Sequence, residues 1–362
     1  MVDFPYYDGP FLSDLLPSAG AHLGWSGSDM DLIGLPDSSR YVVVLVDGLG
    51  WDITMRGCLS APYISGIIGD AATIQASIPT TTSASLTSLW TGRRTGGHGI
   101  VGFSFELNSH VTIPLMSPDP IPTAEPVMDQ MAEEGIAVSW VIPQEHIGSG
   151  LTRMGTRRSE MVGVPTTDHA GRVDAIRDAS RRSGKSVVFV YEPRLDDAGH
   201  RHGVASDAWS AALSSIDSFL EDLRGGLDDD VCLLVTGDHG MVDVPTTERI
   251  DIDADPVLSQ DLRMIAGEAR FRHLYTPNPA GVIERWKGRL GDRAIVLSRA
   301  EAVDAGLFGP VEAGYLSRIG DVVVIAPSTQ AYLTSGFQGE YHLVGMHGGC
   351  TSAELWVPVL MD

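Results

Sequence analysis

The chain has 362 residues, a formal net charge of −22 at pH 7 and 43% hydrophobic residues. This length suffices for one large domain or two, and the acidic balance argues against a nucleic-acid polymer as partner, because nucleic-acid binding needs a basic surface. No apolar run reaches the roughly 18 residues of a membrane-spanning helix, and three scattered cysteines are too few for a disulfide framework. The stretch MVDFPYYDGPFLSDLL lacks the basic start and apolar core of a signal peptide, so we expect a cytoplasmic protein without membrane association.

Short apolar runs rich in valine recur along the chain. Each is too short for a helix, and unbroken apolar character over such a length is typical of strands buried on both faces of a parallel sheet. Between the last two runs, apolar residues at helical spacing follow Ser206, the expected N-cap. This alternation predicts an α/β fold of three αβα layers with a mainly parallel central sheet. The runs are residues 41–48, 135–143, 186–193 and 231–240.

Two regions interrupt this alternation. Residues 104–126 are rich in proline and are expected to form a loop near the mouth of a site. Residues 243–340 contain apolar runs of their own and are expected to form an inserted cap or subdomain. We therefore predict a single domain over residues 1–362, with the 243–340 insert inside it.

Polar residues follow several of the predicted strands. In a parallel sheet such residues meet at the carboxyl edge, so distant segments can converge there. The stretch DDAGHRHG, residues 196–203, is expected to be a short turn in which Gly199 allows a tight bend. Singly, each residue could be a turn, a cap or a solvated histidine, but together they suit zinc or a similar divalent ion, and six ligands suit two ions better than one. The six are Asp47, Asp196, His200, Asp238, His239 and His347.

A hydroxyl-rich segment, residues 77–103, is the other candidate for chemistry. Its hydroxyls enter SASLTSLW, which can begin a helix, and a helix N-terminus is suited to binding a phosphate. A threonine or serine there is a weak nucleophile unless a metal or a base activates it, and it could equally be the N-cap of the helix. Composition alone does not distinguish Thr80, Thr81, Thr82 and Ser83.

Taken in order, the motifs VDGLG, PTTTSASLTSLWTG followed by HGI, DDAGHRHG, TGDHGM and MHGG span residues 47–349. With them the chain resembles the alkaline phosphatase superfamily, and within it the nucleotide pyrophosphatase/phosphodiesterase branch. The resemblance implies an alkaline-phosphatase-like catalytic domain that holds two divalent ions, with zinc as the expected metal. It implies Thr82 as the nucleophile. By the same resemblance one ion is held by Asp47, Asp238, His239 and the Thr82 oxygen, and the other by Asp196, His200 and His347.

The resemblance further implies hydrolysis of small phosphodiesters or pyrophosphates through a phospho-threonine, with a small phosphate ester as the partner molecule. Many nucleotide-cleaving members have an aromatic residue directly after the nucleophile and an asparagine three positions after it, where this chain has Ser83 and Ser85. Tyr191 matches the tyrosine of the family. Ser83, Ser85 and Tyr191 are therefore the expected substrate contacts. Hydrolysis of phosphomonoesters, phosphonates or sulfate esters is the alternative within the superfamily, and a non-catalytic phosphate-binding module is the alternative outside it.

Overall fold

In the computed structural model, residue 4 and residues 9–362 are described. The strands, numbered along the chain, are β1 Arg40–Val46, β2 Ala72–Gln75, β3 Phe105–Leu107, β4 His110–Thr112, β5 Ala137–Ile142, β6 Glu160–Gly163, β7 Ser186–Glu192, β8 Val231–Thr236, β9 Val242–Asp243, β10 Arg249–Asp251, β11 Met264–Glu268, β12 Phe271–Tyr275, β13 Ile295–Ser298, β14 Val322–Ile325, β15 Ala331–Leu333, β16 Gly345–Met346 and β17 Trp356–Met361. The α-helices are α1 Leu15–Leu23, α2 Trp51–Gly57, α3 Pro62–Ile67, α4 Thr82–Thr91, α5 Thr95–His98, α6 Val127–Glu133, α7 Gly150–Gly155, α8 His169–Ser180, α9 Arg194–His202, α10 Asp207–Gly226, α11 Pro256–Ser259, α12 Pro279–Leu290, α13 Arg299–Asp304 and α14 Ser352–Leu355.

Seven strands form the central sheet, in the order β2-β17-β8-β1-β7-β5-β6. The pairs from β8 to β6 are parallel, and β17 runs antiparallel to both of its neighbours. Successive side chains of β1 point to opposite faces, so Val43 and Leu45 enter one apolar core while Val42 and Val44 enter another. Both faces are therefore buried, which confirms the predicted α/β fold with its mainly parallel central sheet.

Helices cover each face of this sheet. Leu residues of α1 and α4 pack into the core on one side, and α8 and α10 pack into the core on the other. The predicted helix after Ser206 is confirmed as α10, and the Ser206 Oγ accepts a hydrogen bond of 3.1 Å from the Trp209 N–H. None of the helices in the described part of the chain has the length and apolar character needed to cross a bilayer.

A second, antiparallel sheet has the order β11-β12-β14-β13. It packs on α12, where Trp286 is fully buried with Leu274, Val322 and Val324. The sheet lies inside the 243–340 region, whose status as an inserted subdomain stays a prediction.

A buried ion pair joins the turn after β11 to α14. The Arg270 Nε and Nη2 donate to the two Glu354 carboxylate oxygens at 2.6 and 2.8 Å, and both side chains are fully buried. Glu354 Oε1 also accepts a hydrogen bond of 2.8 Å from the Gly349 N–H. The pair therefore connects the second sheet to the loop that contains His347.

Two local predictions were wrong. Residues 194–202 form helix α9 where a tight turn was expected, and Gly199 is needed for packing instead, because a Cβ there would lie 2.4 Å from the Met241 sulfur. The first part of the predicted 104–126 loop is a hairpin, in which β3 pairs with β4. Asn108 and Ser109 close this hairpin with positive φ angles, a backbone conformation that composition alone does not predict.

Candidate active site

The carboxyl edge of the central sheet gathers the predicted site residues. Asp47 directly follows β1, and Asp238 and His239 follow the neighbouring strand β8. α9 and the short strand β16 bring the remaining predicted ligands to the same edge, and Thr82 is the first residue of α4. Convergence of the six Asp and His residues, expected from their positions after strands, is what the fold produces.

One group of side chains surrounds Thr82. Its Oγ1 lies 3.4 Å from Asp47 Oδ2 and 3.3 Å from His239 Nε2. The same His239 nitrogen is 3.5 Å from Asp47 Oδ1 and 3.4 Å from Asp238 Oδ2. Two carboxylates, one imidazole and one hydroxyl therefore face a common point.

A second group lies beside the first. On α9, Asp196 and His200 are one helical turn apart, and His200 Nε2 is 3.2 Å from Asp196 Oδ2. His347 Nε2 is 3.2 Å from His200 Nε2 and 3.9 Å from Asp196 Oδ1. The His347 ring stacks on the His239 ring with 3.7 Å between their centroids, which places the two groups side by side.

Main-chain carbonyls orient the three histidines. The Nδ1 atoms of His200, His239 and His347 lie 2.8, 3.1 and 2.9 Å from the carbonyl oxygens of Gly345, Gly240 and Thr80. When a carbonyl accepts a hydrogen bond from Nδ1–H of a neutral imidazole, the lone pair on Nε2 is free to bind a metal. This is the usual arrangement of a histidine metal ligand.

The carboxylates of the site are short of partners. Asp47 Oδ1, Asp196 Oδ1 and Asp238 Oδ2 are buried without a hydrogen-bond donor among the described residues. Burial, together with the neighbouring Asp238, raises the pKa of Asp47 well above its ordinary range, and burial raises the pKa of Asp238 to about 6. Burial also lowers the pKa of His239 to about 4. Unpaired buried carboxylates next to neutral imidazoles fit divalent cations, which would supply the missing positive charge.

Tyr191 adjoins this cluster, and its hydroxyl donates a hydrogen bond to Asp47 Oδ2. Its ring lines a cavity of about 160 Å³. Leu86, Trp90, Trp140 and Phe189 supply much of the apolar wall, and Leu86 lies one helical turn after Thr82. The cavity therefore begins at the Thr82 side of the cluster.

Ser83 and Ser85 are fully buried in α4. The Ser83 hydroxyl donates to the Gly102 carbonyl at 3.1 Å, whereas the Ser85 hydroxyl has no hydrogen-bond partner in the described part of the chain. The structure thus brings Tyr191 to the cluster and keeps the two serines inside the helix packing. Their contact with a substrate stays a prediction.

Two residues beside His347 have contacts that the sequence did not indicate: Thr80, one of the four hydroxyl residues that composition could not distinguish, and Glu268, which was not a candidate. Thr80 Oγ1 donates to the Gly349 carbonyl at 2.8 Å and accepts from the Gly348 N–H at 3.0 Å, so it fixes the histidine loop against the start of α4. Glu268, at the end of β11, is only 6% exposed, and its Oε2 lies 4.0 Å from His347 Nδ1. Burial raises the Glu268 pKa to about 8. Neither residue stands out in the sequence, because its partner is distant along the chain.

Comparisons with known proteins give a consistent result. The sequence model of the family described as type I phosphodiesterase / nucleotide pyrophosphatase matches residues 41–349. The solved structure of murine ectonucleotide pyrophosphatase / phosphodiesterase 5 is similar with a TM-score of 0.73 and 18% identity, over 88% of this chain and 87% of that chain. An inactive threonine-to-alanine variant of the murine protein, in complex with AMP, has a TM-score of 0.72 at 18% identity, over 89% of this chain and 87% of that chain.

Phosphonoacetate hydrolase from Sinorhizobium meliloti 1021, in complex with phosphonoformate, is also similar, with a TM-score of 0.69 and 18% identity over 91% of this chain and 92% of that chain. A comparison with curated protein sequences found no match. At these identities the likeness of the solved structures shows a shared fold.

Proposed function

The chain belongs to the type I phosphodiesterase / nucleotide pyrophosphatase family, and from that premise we propose that it hydrolyses small phosphodiesters or pyrophosphates with bound metal and Thr82 as nucleophile. The observation that carries the proposal is the position of Thr82. Its hydroxyl lies within 3.4 Å of both Asp47 and His239, at the N-terminus of α4. A hydroxyl in this setting has both an activating environment and a place for a phosphate beside it.

Two divalent ions, with zinc as the candidate, would be held by the residues of the two groups. Such ions lower the pKa of a bound hydroxyl and neutralise charge on phosphate oxygens. The three buried carboxylate oxygens without donors support this assignment. The first ion would be held by Asp47, Asp238, His239 and the Thr82 oxygen, and the second by Asp196, His200 and His347.

The residues of the chain then have separate tasks in the reaction. Thr82 Oγ1 attacks phosphorus, so an Oγ1–P bond forms while one ester P–O bond breaks, and the alcohol of that ester leaves with the proton that the Thr82 hydroxyl gives up. Water later cleaves the phospho-threonine, which releases the remaining phosphate ester and restores the hydroxyl. The first N–H groups of α4 have no partner within the helix and can donate to the phosphate. The inactivity of the murine threonine variant supports a threonine nucleophile here.

The cavity beside Tyr191 supports a small organic group as one arm of the substrate. A volume of about 160 Å³ is close to that of an apolar cavity known to hold one benzene ring. Because Ser83 and Ser85 are buried, Tyr191 and this cavity are the proposed contacts for the arm. Nucleotides are one class of substrate with which this site can be assayed.

The proposal predicts that diesters react faster than monoesters. None of the site residues named above is an arginine or a lysine that would bind the second negative charge of a monoester. We expect kcat/KM for bis(nitrophenyl) phosphate to exceed that for nitrophenyl phosphate, measured on protein whose metal content is determined in parallel. A monoester preference, or faster turnover of a phosphonate or sulfate ester, would instead favour those hydrolases of the superfamily. Bound metal without turnover of any ester would favour a phosphate-binding module.

A further inference from the structure

A second cavity, of about 100 Å³, adjoins the group formed by Asp196, His200 and His347. It shares no lining residue with the cavity beside Tyr191. Part of its wall comes from the second sheet and from the chain that follows that sheet. Its lining residues are Phe103, His200, Glu268, Ala269, Glu340, Leu343, Met346 and His347.

Glu268 is the unusual member of this lining. It is only 6% exposed, and its Oε1 has no hydrogen-bond donor within residues 9–362. The Thr81 side chain hydrogen bonds to the carboxyl group, His347 Nδ1 is 4.0 Å from Oε2, and the Arg272 guanidinium attracts the group electrostatically. Buried carboxyl oxygens normally have a donor, so the free oxygen indicates that a donor arrives from outside the chain.

The other carboxylate in the lining differs, because it already has a cation. Glu340 forms an ion pair with Arg272, whose fully buried side chain is also held by a 2.8 Å hydrogen bond to the Tyr332 carbonyl. No lysine or arginine is among the described residues that line the cavity. Phe103 adds an aromatic ring, and an aromatic face next to a carboxylate is a favourable setting for an ammonium group.

We propose that this cavity binds the ammonium group of an amino alcohol esterified to the phosphate, with Glu268 Oε1 accepting its hydrogen bond and Phe103 packing on it. The proposal rests on the proposed phosphodiesterase function and names its substrate class. A cavity of about 100 Å³ is smaller than the roughly 150 Å³ cavity known to hold one benzene ring, which suits a two-carbon arm with one nitrogen. A phosphate arm, as in a pyrophosphate, would bring negative charge against the Glu268 carboxyl group and is disfavoured at this wall of the cavity.

The test compares two matched diesters on metal-loaded protein. One is the glycerol phosphodiester of ethanolamine, and the other is the glycerol phosphodiester of ethylene glycol, in which a hydroxyl replaces the ammonium group. Phosphorus NMR follows both and identifies which alcohol leaves. We expect the parent to prefer the ammonium diester by about tenfold or more in kcat/KM, as one hydrogen bond between charged groups predicts.

Glu268→Gln keeps the shape of the side chain and removes its charge, so the preference should fall to within about threefold. The preference is the ratio of the two kcat/KM values measured on the same variant. A loss of folded or metal-loaded protein lowers both values equally, so it does not change the ratio. Phe103→Leu provides a second variant that should also lower the ratio. Glu312→Gln removes an exposed carboxylate (61% exposed) outside the cavity and should leave the ratio unchanged.

Three outcomes would overturn the inference. The parent could show no preference for the ammonium diester, or Glu268→Gln could retain the parent ratio, or Glu268→Gln could slow every substrate equally, which would make Glu268 a positioning residue for His347. Turnover of bis(nitrophenyl) phosphate by the parent separates the two levels of the proposal. If the parent turns over this diester without preferring the ammonium arm, only the inference fails. If it turns over none of the diesters, the proposed function fails.

Discussion

Three consecutive threonines precede or begin α4, and each has different neighbours. Thr80 bonds the backbone of the His347 loop, Thr81 contacts Glu268, and Thr82 faces Asp47 and His239. All three residues are threonines, so only the neighbours that the fold places beside each one distinguish them. The proposed nucleophile could therefore be chosen from the sequence by family resemblance, but not from residue type.

Replacing Thr82 by alanine tests this distinction. We expect kcat for a chromogenic diester to fall by several orders of magnitude, since removal of a nucleophile leaves only positioning and electrostatics. Thr87→Ala is the matched control, because that buried hydroxyl donates only to the Ser83 carbonyl of its own helix, at 2.7 Å. Steady-state turnover and metal content of both variants are measured together. Activity of Thr82→Ala within tenfold of the parent would contradict the covalent mechanism.

At the scale of elements, α9 shows why local prediction failed. Asp, His and Gly in DDAGHRHG favour a turn, and glycine within a helix costs about 1 kcal/mol relative to alanine. The helix forms because Gly199 lets α9 approach Met241 closely, and this packing depends on a residue far along the chain. Asp196 and His200 thereby lie on one face of a helix, which holds them more rigidly than a loop would.

The ion pair between Arg270 and Glu354 is the clearest test of how the second sheet supports the site. Arg270→Met leaves a buried carboxylate without its cation, and we expect the free energy of unfolding to fall by about 3–5 kcal/mol. Arg263→Met is the control, because Arg263 (48% exposed) pairs with Glu106 at the surface and should cost at most about 1 kcal/mol. Urea unfolding measures both. Equal, small losses for the two variants would show that the buried pair does not stabilise the protein.

At the scale of the whole molecule, the mainly parallel sheet and the convergence of the six Asp and His side chains were predictable. Both follow from unbroken apolar runs with polar residues directly after them, which are local features of the sequence. The antiparallel pairing of the second sheet and the positions of Thr80 and Glu268 were not, because they depend on contacts between distant segments. The same holds for the cavity that Glu268 lines.

The free energy of unfolding of the whole protein should depend on pH, and bound metal should weaken that dependence. In protein stripped of metal by chelation, burial raises the pKa of Glu268 to about 8 and raises that of Asp196 well above its ordinary range. The folded state then holds protons that the unfolded chain has released, so the free energy of unfolding falls as pH rises from about 6.5 to 8, by at most about 1.4 kcal/mol per pH unit for each group. Below about 6.5 the lowered pKa of His239 acts in the opposite direction.

Zinc should flatten this dependence and raise the melting temperature, because cations bind the ionised carboxylates of the folded state. Thermal unfolding at several pH values between 6.5 and 8, with and without added zinc, provides the measurement. Glu268→Gln should reduce the slope of the metal-free protein. A metal-free protein that gains stability over this range, or curves that zinc leaves unchanged, would contradict the prediction.

The position of β17 has a consequence for biosynthesis. This strand lies between β8 and β2 in the sheet, although it follows every other strand of that sheet along the chain. While the ribosome is still making the protein, β8 therefore presents an open row of N–H and C=O groups, and such an edge can pair with a neighbouring nascent chain. His347 emerges shortly before β17, so the cluster of proposed metal ligands and the sheet are completed almost together, and until then the open edge of β8 is a place where the nascent chain can aggregate.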